Sequence, residues 1–366
     1  MTQAVALAQL ASTGVSPGFR NRIINGAMVI DQRNAGASIT ANDNVFGVDR
    51  FPYFAYQNGK GTIQQNQGSV TPPTGFTNYL GFTSNSAYTV GTNESFALSQ
   101  RIEGFNIADF GWGTANAKTV TLSFWVRSSL TGTFGGAICN SARNRSYPYS
   151  YTISAANTWE QKSVTIAGDT TGTWLTTNGI GMYVFFSLGA GSGLSATAGA
   201  WIGSDEQSAT GATSVVGTNG ATFYITGVQL EVGSTATSFD YRPYGTELAL
   251  CQRYFQSYGF GVNGTTGDSC IGTGMFYTST EIIVTAEFKV IMRAVPTYSS
   301  PTVTGGYRYH RAGANTSIDS IPYSGSTSTS AAIFGNISLS VGGTAGYATQ
   351  IYAQASGAKI NFSAEL

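Results

Sequence analysis

Apolar and polar residues alternate with a period of two in segments along most of the chain, and this pattern constrains the fold more than any other feature. The segment 120–127 alternates in this way and places four apolar residues on one side: Val120, Leu122, Phe124 and Val126. The segments 281–293 and 359–366 repeat the pattern. A period of two is typical of a strand with one buried face. The sequence therefore predicts an all-β fold.

Composition also favours short strands joined by tight turns. The 366 residues include 47 glycines, and 42% are hydrophobic, so the chain can bury a sizeable core. Only 10% are charged, against about 25% in a typical soluble domain. The segment 182–188 is apolar on both faces, which predicts a central strand or one buried at an interface. A slip of the alternation at Gly227 predicts a β-bulge.

One segment, 246–258, has helical periodicity. Thr246 can cap this helix, and Gly259 can end it. The turn sequence 242–245 directly precedes it, and the segment 14–18 contains glycines and a proline that separate the first residues from the rest. We therefore expect three parts: an N-terminal anchor over 1–19, a β-sandwich over 20–245 and a smaller C-terminal β-sandwich over 246–366.

Charge and hydropathy exclude several classes of partner. The chain has 18 basic and 18 acidic residues, so it lacks the basic footprint of a nucleic-acid-binding protein. No apolar run approaches the roughly 18 residues that span a bilayer, so we expect no membrane insertion. The N-terminus has no basic region typical of a cleaved signal peptide.

The three cysteines are Cys139, Cys251 and Cys270, and their spacing matches no zinc site. We expect three buried free thiols, with a Cys251–Cys270 disulfide as the alternative. Free thiols indicate synthesis in a reducing cytoplasm.

Catalytic constellations are absent from the sequence. A Ser-His-Asp or Cys-His site would have to use the single histidine, His310, and no nucleophile elbow accompanies it. The carboxylates of the middle region form no recognisable acid–base pair: Glu94, Glu103, Asp109, Glu160, Asp169, Asp205 and Glu206. We therefore expect no catalytic residues and no enzymatic activity. A glycosidase with paired carboxylates is the enzyme alternative.

Several short motifs in a fixed order carry a family resemblance. They are Arg20–Asn34, Val48–Phe51, Lys118–Ser128, Arg145–Tyr147, Asn157–Glu160 and Ile225–Glu231 with Gly233 and Ala236. Together they resemble the carbohydrate-binding-module-like jelly roll of bacteriophage tail fibre and appendage proteins, over about residues 20–245. The ending Ile360–Leu366 is similar to the closing strand of small C-terminal domains in the same proteins.

The resemblance implies a jelly roll over 20–245 and a receptor-binding tip over 246–366, in a non-catalytic tail fibre that mediates adhesion to the host surface. Such subunits are usually homotrimers. Residues 1–19 would dock on a tail or capsid protein, and the receptor would be a host-surface glycan or protein. The protein would be made in the host cytoplasm and reside on the virion. The alternatives are a structural head fibre or decoration protein on the capsid, and a polysaccharide depolymerase.

Jelly rolls of this kind often hold a structural calcium ion, and the resemblance places four residues where its oxygen ligands could lie: Asn25, Asp31, Asp49 and Glu231. The alternative puts Asn25 and Asp31 in turns and pairs the other two with arginines such as Arg33 and Arg50. We expect no other cofactor.

Sugar binding normally needs exposed aromatic rings beside polar groups, since the rings offer a flat apolar face and the polar groups fix orientation. The candidate glycan-binding residues are Trp112, Arg143, Arg145, Tyr147, Trp174 and Trp201.

A second cluster in the C-terminal part is a candidate receptor- or partner-binding segment, because aromatic residues and arginine dominate binding hot spots. It comprises Tyr307, Arg308, Tyr309, His310 and Arg311. The alternative is a strand with Tyr307, Tyr309 and Arg311 on one face and Arg308 and His310 on the other.

Overall fold

The computed structural model describes residues 19–259, 268–311, 314–323, 329–339 and 342–366, with only the backbone of 333–338. Residues 1–18, which hold the expected anchor and the 14–18 boundary, lie outside the described residues. Strands dominate the described part and form two β-sandwiches, which confirms the predicted all-β class. Within that part, no helix has the length and apolar run needed to cross a membrane.

The first sandwich consists of two six-stranded antiparallel sheets and one short parallel ladder. Its strands are β1 (Ile39–Thr40), β2 (Phe46–Val48), β3 (Phe51–Ala55), β4 (Gly61–Gln65), β5 (Leu80–Ser84), β6 (Ser95–Glu103), β7 (Val120–Ser128), β8 (Gly132–Asn140), β9 (Ser146–Ile153), β10 (Glu160–Ile166), β11 (Ile180–Ala190), β12 (Ser195–Ala196), β13 (Ser208–Ala209) and β14 (Thr222–Val232). Sheet 1 has the order β1-β4-β5-β14-β7-β10, and sheet 2 has the order β2-β3-β6-β11-β8-β9. The strands β12 and β13 form the parallel ladder.

The inner faces of sheets 1 and 2 enclose one large core. Val120, Leu122, Phe124 and Val126 are fully buried in it, as their alternation predicts. The β-bulge predicted at Gly227 is present, since the register of β14 against β7 shifts between Thr226 and Gln229. Gly227 has a φ of 61°, and a Cβ there would lie 2.7 Å from the ring of Phe76, so glycine fits both the backbone and the space.

The second sandwich is smaller. Its strands are β15 (Phe255–Gly259), β16 (Ser269–Phe276), β17 (Glu281–Glu287), β18 (Thr297–Ser299), β19 (Tyr307–Arg311), β20 (Ala314–Ile318), β21 (Ala331–Ser338), β22 (Ala348–Ala353) and β23 (Lys359–Ser363). A three-stranded sheet, β15-β23-β18, faces a six-stranded sheet, β20-β19-β22-β16-β17-β21. Ile360 and Phe362 are fully buried, as the alternation in 359–366 predicts.

Two sequence predictions are wrong in their extent. The helix, α1, spans Tyr244–Gln252 and follows Pro243, whereas 255–259 forms β15 and pairs with β23. The residues at the end of the predicted helix therefore find a partner strand about a hundred positions away, which local periodicity does not reveal. Strand β17 likewise ends at Glu287 instead of continuing to 293.

The cysteines are all free, and the expectation that all three are buried is wrong for one of them. Cys139 and Cys251 are buried, whereas Cys270 is exposed on β16. No Cys251–Cys270 disulfide forms.

Arginines and carboxylates concentrate between the two sandwiches, and we call this set the junction network. Glu365 accepts hydrogen bonds from Arg33, at 2.8 Å, and from Arg50. Glu103 of β6 accepts two from Arg253, at 2.6 and 2.9 Å, and one from the Tyr254 hydroxyl at 2.6 Å. These contacts join residues of the first sandwich to residues of the second.

Backbone carbonyls extend the junction network. Arg293 donates to the carbonyls of Ala364, at 2.8 Å, and Glu365, at 3.0 Å. Arg101 donates to a main-chain oxygen of Leu366, the last residue of the sequence. Leu366 packs beside the buried residues Ile24 and Tyr254. The last three residues of the sequence are therefore held by side chains from both sandwiches.

Asp49, next to the junction network, gives the first testable prediction. It is 1% exposed and accepts a hydrogen bond from Arg33 at 2.9 Å. Burial raises the pKa of Asp49 to about 6, because the loss of water outweighs the attraction of Arg33. A pKa that is higher in the folded than in the unfolded state stabilises the folded protein while the group is protonated. For Asp49 this contribution is fully present below the unfolded-state pKa and is lost as pH rises through about 6.

Asp49→Asn removes this titration. Between about pH 4 and pH 7, urea unfolding should show the stability of Asp49→Asn rising by about 2 kcal/mol relative to that of the wild type. Subtracting the wild-type curve of unfolding free energy against pH from that of Asp49→Asn cancels the contributions of the other ionisable groups. If the two curves run parallel, the raised pKa assigned to Asp49 is contradicted.

Candidate functional site

Five of the six predicted glycan-binding residues lie together at one corner of the first sandwich, which we call the tryptophan corner. The rings of Trp112, Trp174 and Trp201 meet edge to face, with centroids 4.7, 5.3 and 5.5 Å apart. Tyr147 lies against Trp201 at 5.2 Å, and Arg145 lies 5.8 Å from the same ring. The corner is therefore one packed cluster, and the sixth residue, Arg143, lies elsewhere.

Asp169 is a buried carboxylate that holds two residues of the tryptophan corner in place. It is fully buried, pairs with Arg145 at 2.7 Å and accepts the indole N–H of Trp174 at 3.0 Å. Burial raises the pKa of Asp169, but the hydrogen bonds from Arg145 and Trp174 outweigh it and leave the pKa lowered. Trp112 and Trp174 are only 6% and 8% exposed. Their ring faces are covered by neighbouring side chains, so these two residues pack the corner and offer no flat surface to a sugar.

The four calcium candidates each have protein partners. Asn25 donates to the carbonyls of Ile30 and Asp49, and the carboxylate of Asp31 accepts the N–H groups of Asn34 and Gly36. Asp49 pairs with Arg33, as described above. Glu231 accepts hydrogen bonds from Gln229 and Thr237 rather than from an arginine. Among the described residues, no group of three or more Asp, Glu, His or Cys is placed to hold a metal ion. These residues therefore do not fit a calcium site.

The predicted receptor segment forms β19 and matches the strand alternative. Tyr307 and Tyr309 are fully buried in the second core, so their rings are not accessible to a partner. Arg308 lies on the other face and pairs with Asp268. His310 stacks on Tyr352, with centroids 4.8 Å apart. Only Arg308, His310 and Arg311 of this segment are partly exposed.

The outer face of sheet 2 carries aromatic rings that the sequence analysis did not select, and we call them the aromatic row. They are Tyr183, Phe185, Phe54 and Tyr56, with successive centroids 5.5, 5.3 and 5.8 Å apart. Phe185 is buried in the middle, Tyr183 and Phe54 are partly exposed, and Tyr56 is 45% exposed. Rings that are partly exposed on a sheet are suited to contact the apolar face of a sugar.

Strand geometry explains how the aromatic row forms. Tyr183 and Phe185 are two residues apart on β11, so they point to the same face. Phe54 of β3 lies opposite Ala97, and Phe185 lies opposite Ser99, both on the intervening strand β6. Because these two side chains are small, rings from β3 and β11 meet across β6.

Polar groups flank the aromatic row. Arg143 lies 5.6 Å from the centroid of Phe54 and 3.6 Å from the carboxylate of Asp205. Arg101 lies 6.0 Å from the centroid of Tyr183 and donates to the side-chain oxygen of Asn44. Arg143 is thus the predicted glycan-binding residue that lies beside the aromatic row.

The outer face of sheet 1 differs, because the segment 66–78 covers its rings. Tyr79 and Tyr224 are buried there, and the indole of Trp159 donates to the carbonyl of Thr71 at 2.9 Å. The Tyr241 hydroxyl donates to the carbonyl of Gly75 at 2.8 Å. In the first sandwich, the aromatic row of sheet 2 is therefore the better candidate surface.

Comparison with known proteins gives matches in structure but not in sequence. No protein-family model and no curated protein matches the chain. Similar solved structures include TmCBM61 in complex with β-1,4-galactotriose, at 9% identity and a TM-score of 0.31, with 58% of this chain and 99% of that chain covered. A putative sugar binding protein from Bacteroides thetaiotaomicron VPI-5482 matches at 14% identity and a TM-score of 0.32, with 58% and 100% covered.

A phage protein is also among the similar structures. It is the enzymatically active domain of bacteriophage CBA120 tailspike protein 4, at 11% identity and a TM-score of 0.31. The match covers 58% of this chain but only 22% of the tailspike chain. Similarity at this level does not assign a function to this chain.

Proposed function

We propose that the protein is a non-catalytic adhesion subunit whose first sandwich binds glycans on the aromatic row. The observation that carries this proposal is the continuous line of rings on the outer face of sheet 2, partly exposed and flanked by two arginines and an amide. Apolar ring faces can contact sugar C–H groups, while the polar side chains orient the hydroxyls.

The carboxylates of the first sandwich support a non-catalytic role. A glycosidase needs two carboxyl groups facing one substrate, about 5–10 Å apart. Instead, acidic residues here pair with basic ones: Asp109 with Arg22, Glu160 with Lys162, Asp169 with Arg145, and Glu103 with Arg253. Glu94 accepts hydrogen bonds from Tyr88 and Gln57. Release of reducing sugar from a bound polysaccharide would favour the depolymerase alternative.

We further propose that the adhesion subunit is a homotrimeric phage tail fibre. The motifs in 20–34, 118–128 and 225–231, which resemble phage appendage proteins, support this assignment. In this proposal residues 1–19 attach the subunit to the virion, and the second sandwich forms the tip. Immunogold labelling of virions distinguishes it from the head-fibre alternative, because label on the capsid would contradict attachment to the tail.

Substitution of exposed rings tests the aromatic row. Tyr183→Ala and Tyr56→Ala should each weaken binding of the best ligand on a polysaccharide array about tenfold, since a lost ring contact of about 1.4 kcal/mol changes Kd by that factor. Isothermal titration calorimetry measures the change. Tyr244→Ala is the matched control, because Tyr244 is 59% exposed and lies outside the row. Equal losses in all three variants would contradict a site at the aromatic row.

A further inference from the structure

The segment 204–208 crosses the outer face of sheet 2 beside the aromatic row. The thiol of Cys139 donates to the carbonyl of Glu206 at 3.3 Å. Cys139 of β8 lies directly opposite Tyr183 of β11, which is one end of the row. The segment therefore places the carboxylate of Asp205 next to the exposed rings.

Arg143 approaches Asp205 from the turn that follows β8. Its guanidinium lies 5.6 Å from the ring centroid of Phe54 and 3.6 Å from the carboxylate of Asp205. At that separation the two charges balance each other, but the groups are too far apart for a hydrogen bond. Among the described residues, the side chain of Arg143 has no hydrogen-bond partner, and it is partly exposed. Its N–H donors are therefore available to a ligand.

The turn 140–145 holds Arg143 in this position. Asn140 is fully buried, and its side-chain oxygen accepts the backbone N–H groups of Asn144 and Arg145. Arg143 has a φ of 52°, a left-handed conformation that is unfavourable for a residue with a side chain. Residues strained in this way concentrate at ligand sites. Arg145 differs, because its guanidinium is fully engaged with Asp169 at 2.7 to 3.1 Å.

Gln207 orients the carboxylate of Asp205. It is fully buried, and its amide nitrogen donates to both carboxylate oxygens, each at 3.2 Å. A carboxylate oxygen can accept two hydrogen bonds, so each oxygen can accept one more. Asp205 is partly exposed. Acceptors with a fixed direction therefore lie beside the free donors of Arg143.

We infer that the Arg143–Asp205 pair selects neutral sugars that have two adjacent free hydroxyl groups. This inference rests on the proposed glycan-binding function. A hydroxyl group both donates and accepts, so one hydroxyl can accept from Arg143 while its neighbour donates to Asp205. The pair has no net charge. Asp205 repels a carboxylate or phosphate on the ligand, and Arg143 repels an ammonium group, so a neutral sugar fits best.

Oligosaccharides that differ only in linkage test the inference. The full chain is titrated with β-1,4-linked glucans and galactans, whose internal residues have adjacent hydroxyls at positions 2 and 3. In the β-1,3-linked counterparts position 3 is in the linkage, so the internal residues have no adjacent pair. Mannan, dextran and the acidic polymer polygalacturonate complete the set.

We expect the tightest ligand to be a neutral polymer with adjacent hydroxyls. Any β-1,4-linked polymer that binds should bind about ten times more tightly than its β-1,3-linked counterpart, since hydrogen bonds to charged groups are the stronger ones. The affinity should change less than about twofold as NaCl increases from 50 to 500 mM, because no ionic contact is made to the ligand.

Variants of the pair separate its role from the effect of linkage on polymer shape. Asp205→Asn should weaken binding of the tightest neutral ligand about tenfold, because it removes the charged acceptor. It also leaves the charge of Arg143 unbalanced, so the affinity for polygalacturonate should rise. Arg143→Gln should weaken the neutral ligand to a similar extent without that rise.

Two controls accompany these variants. Asp109→Asn removes the acid of another partly exposed ion pair of the first sandwich, with Arg22, outside the row. It should leave both affinities unchanged. Tyr56→Ala removes a ring contact that both linkages share, so it should lower the affinities together and preserve their ratio.

The outcomes distinguish the inference from the function it rests on. A β-1,3-linked polymer that binds as tightly as its β-1,4-linked counterpart, or tightest binding of polygalacturonate, overturns the inference and leaves glycan binding intact. Neutral binding that stays within about twofold of the wild type in both Asp205→Asn and Arg143→Gln overturns the role of the pair. Binding to no polysaccharide overturns glycan binding and the inference together.

Discussion

Glu365→Gln should lower the free energy of unfolding by about 3–5 kcal/mol, the usual cost of removing one partner from a buried ion pair. The carboxylate of Glu365 pairs with the guanidinium of Arg50. Arg50 is only 2% exposed, and its guanidinium lies 3.6 Å from the ring centroid of Tyr254. Without that carboxylate, Arg50 remains buried as an unpaired cation. Arg33 is less affected, because it still pairs with Asp49. Urea denaturation monitored by tryptophan fluorescence measures the loss.

Glu287→Gln is the matched control for this prediction. It makes the same chemical change at an exposed position of β17, where the effect should stay within about 0.5 kcal/mol. If Glu365→Gln is no more destabilising than Glu287→Gln, the junction network does not contribute to stability.

Trp174→Ala should also cost about 3–5 kcal/mol, as expected when a buried tryptophan is truncated. The substitution opens a cavity between Trp112 and Trp201 and leaves the buried carboxylate of Asp169 without one of its donors. The affinity for a polysaccharide should not change in the folded fraction, because Trp174 is buried in the sandwich and does not present its ring face. Thermal unfolding and a binding isotherm on the same sample measure the two effects separately.

Trp174→Phe separates the cavity from the hydrogen bond. It keeps most of the apolar volume but loses the N–H bond to Asp169, so the expected cost is about 1–2 kcal/mol. If Trp174→Ala keeps the wild-type melting temperature but loses polysaccharide binding, Trp174 contacts the glycan and the tryptophan corner is a binding site.

The sequence predicts strands well where one face is buried and the other is solvated. In 120–127 and 359–366, the period of two identifies the buried residues because burial follows directly from the pleat. It predicts less well where a distant partner decides the conformation. The segment 255–259 has helical spacing, yet it forms β15 because β23 pairs with it along all five residues.

The candidate site was harder to predict from the sequence. Glycine-rich surroundings suggested that Trp112, Trp174 and Trp201 are exposed, but contacts between distant segments of the chain bury Trp112 and Trp174 and leave Trp201 only partly exposed. The apolar character of both faces of 182–188 correctly indicated a central strand. It could not show that Phe54 and Tyr56 would extend the row formed by Tyr183 and Phe185, because that depends on strand order and on the small residues of β6.

The junction network determines which parts of the chain can be exchanged by recombination. A crossover in 242–245 coincides with the boundary that composition suggests, but it would separate Arg50 and Glu103 from the residues that neutralise them. A chimera with a foreign second sandwich would therefore leave a buried cation, Arg50, and a buried carboxylate, Glu103, without their partners. The two sandwiches would therefore be exchanged together, as one module.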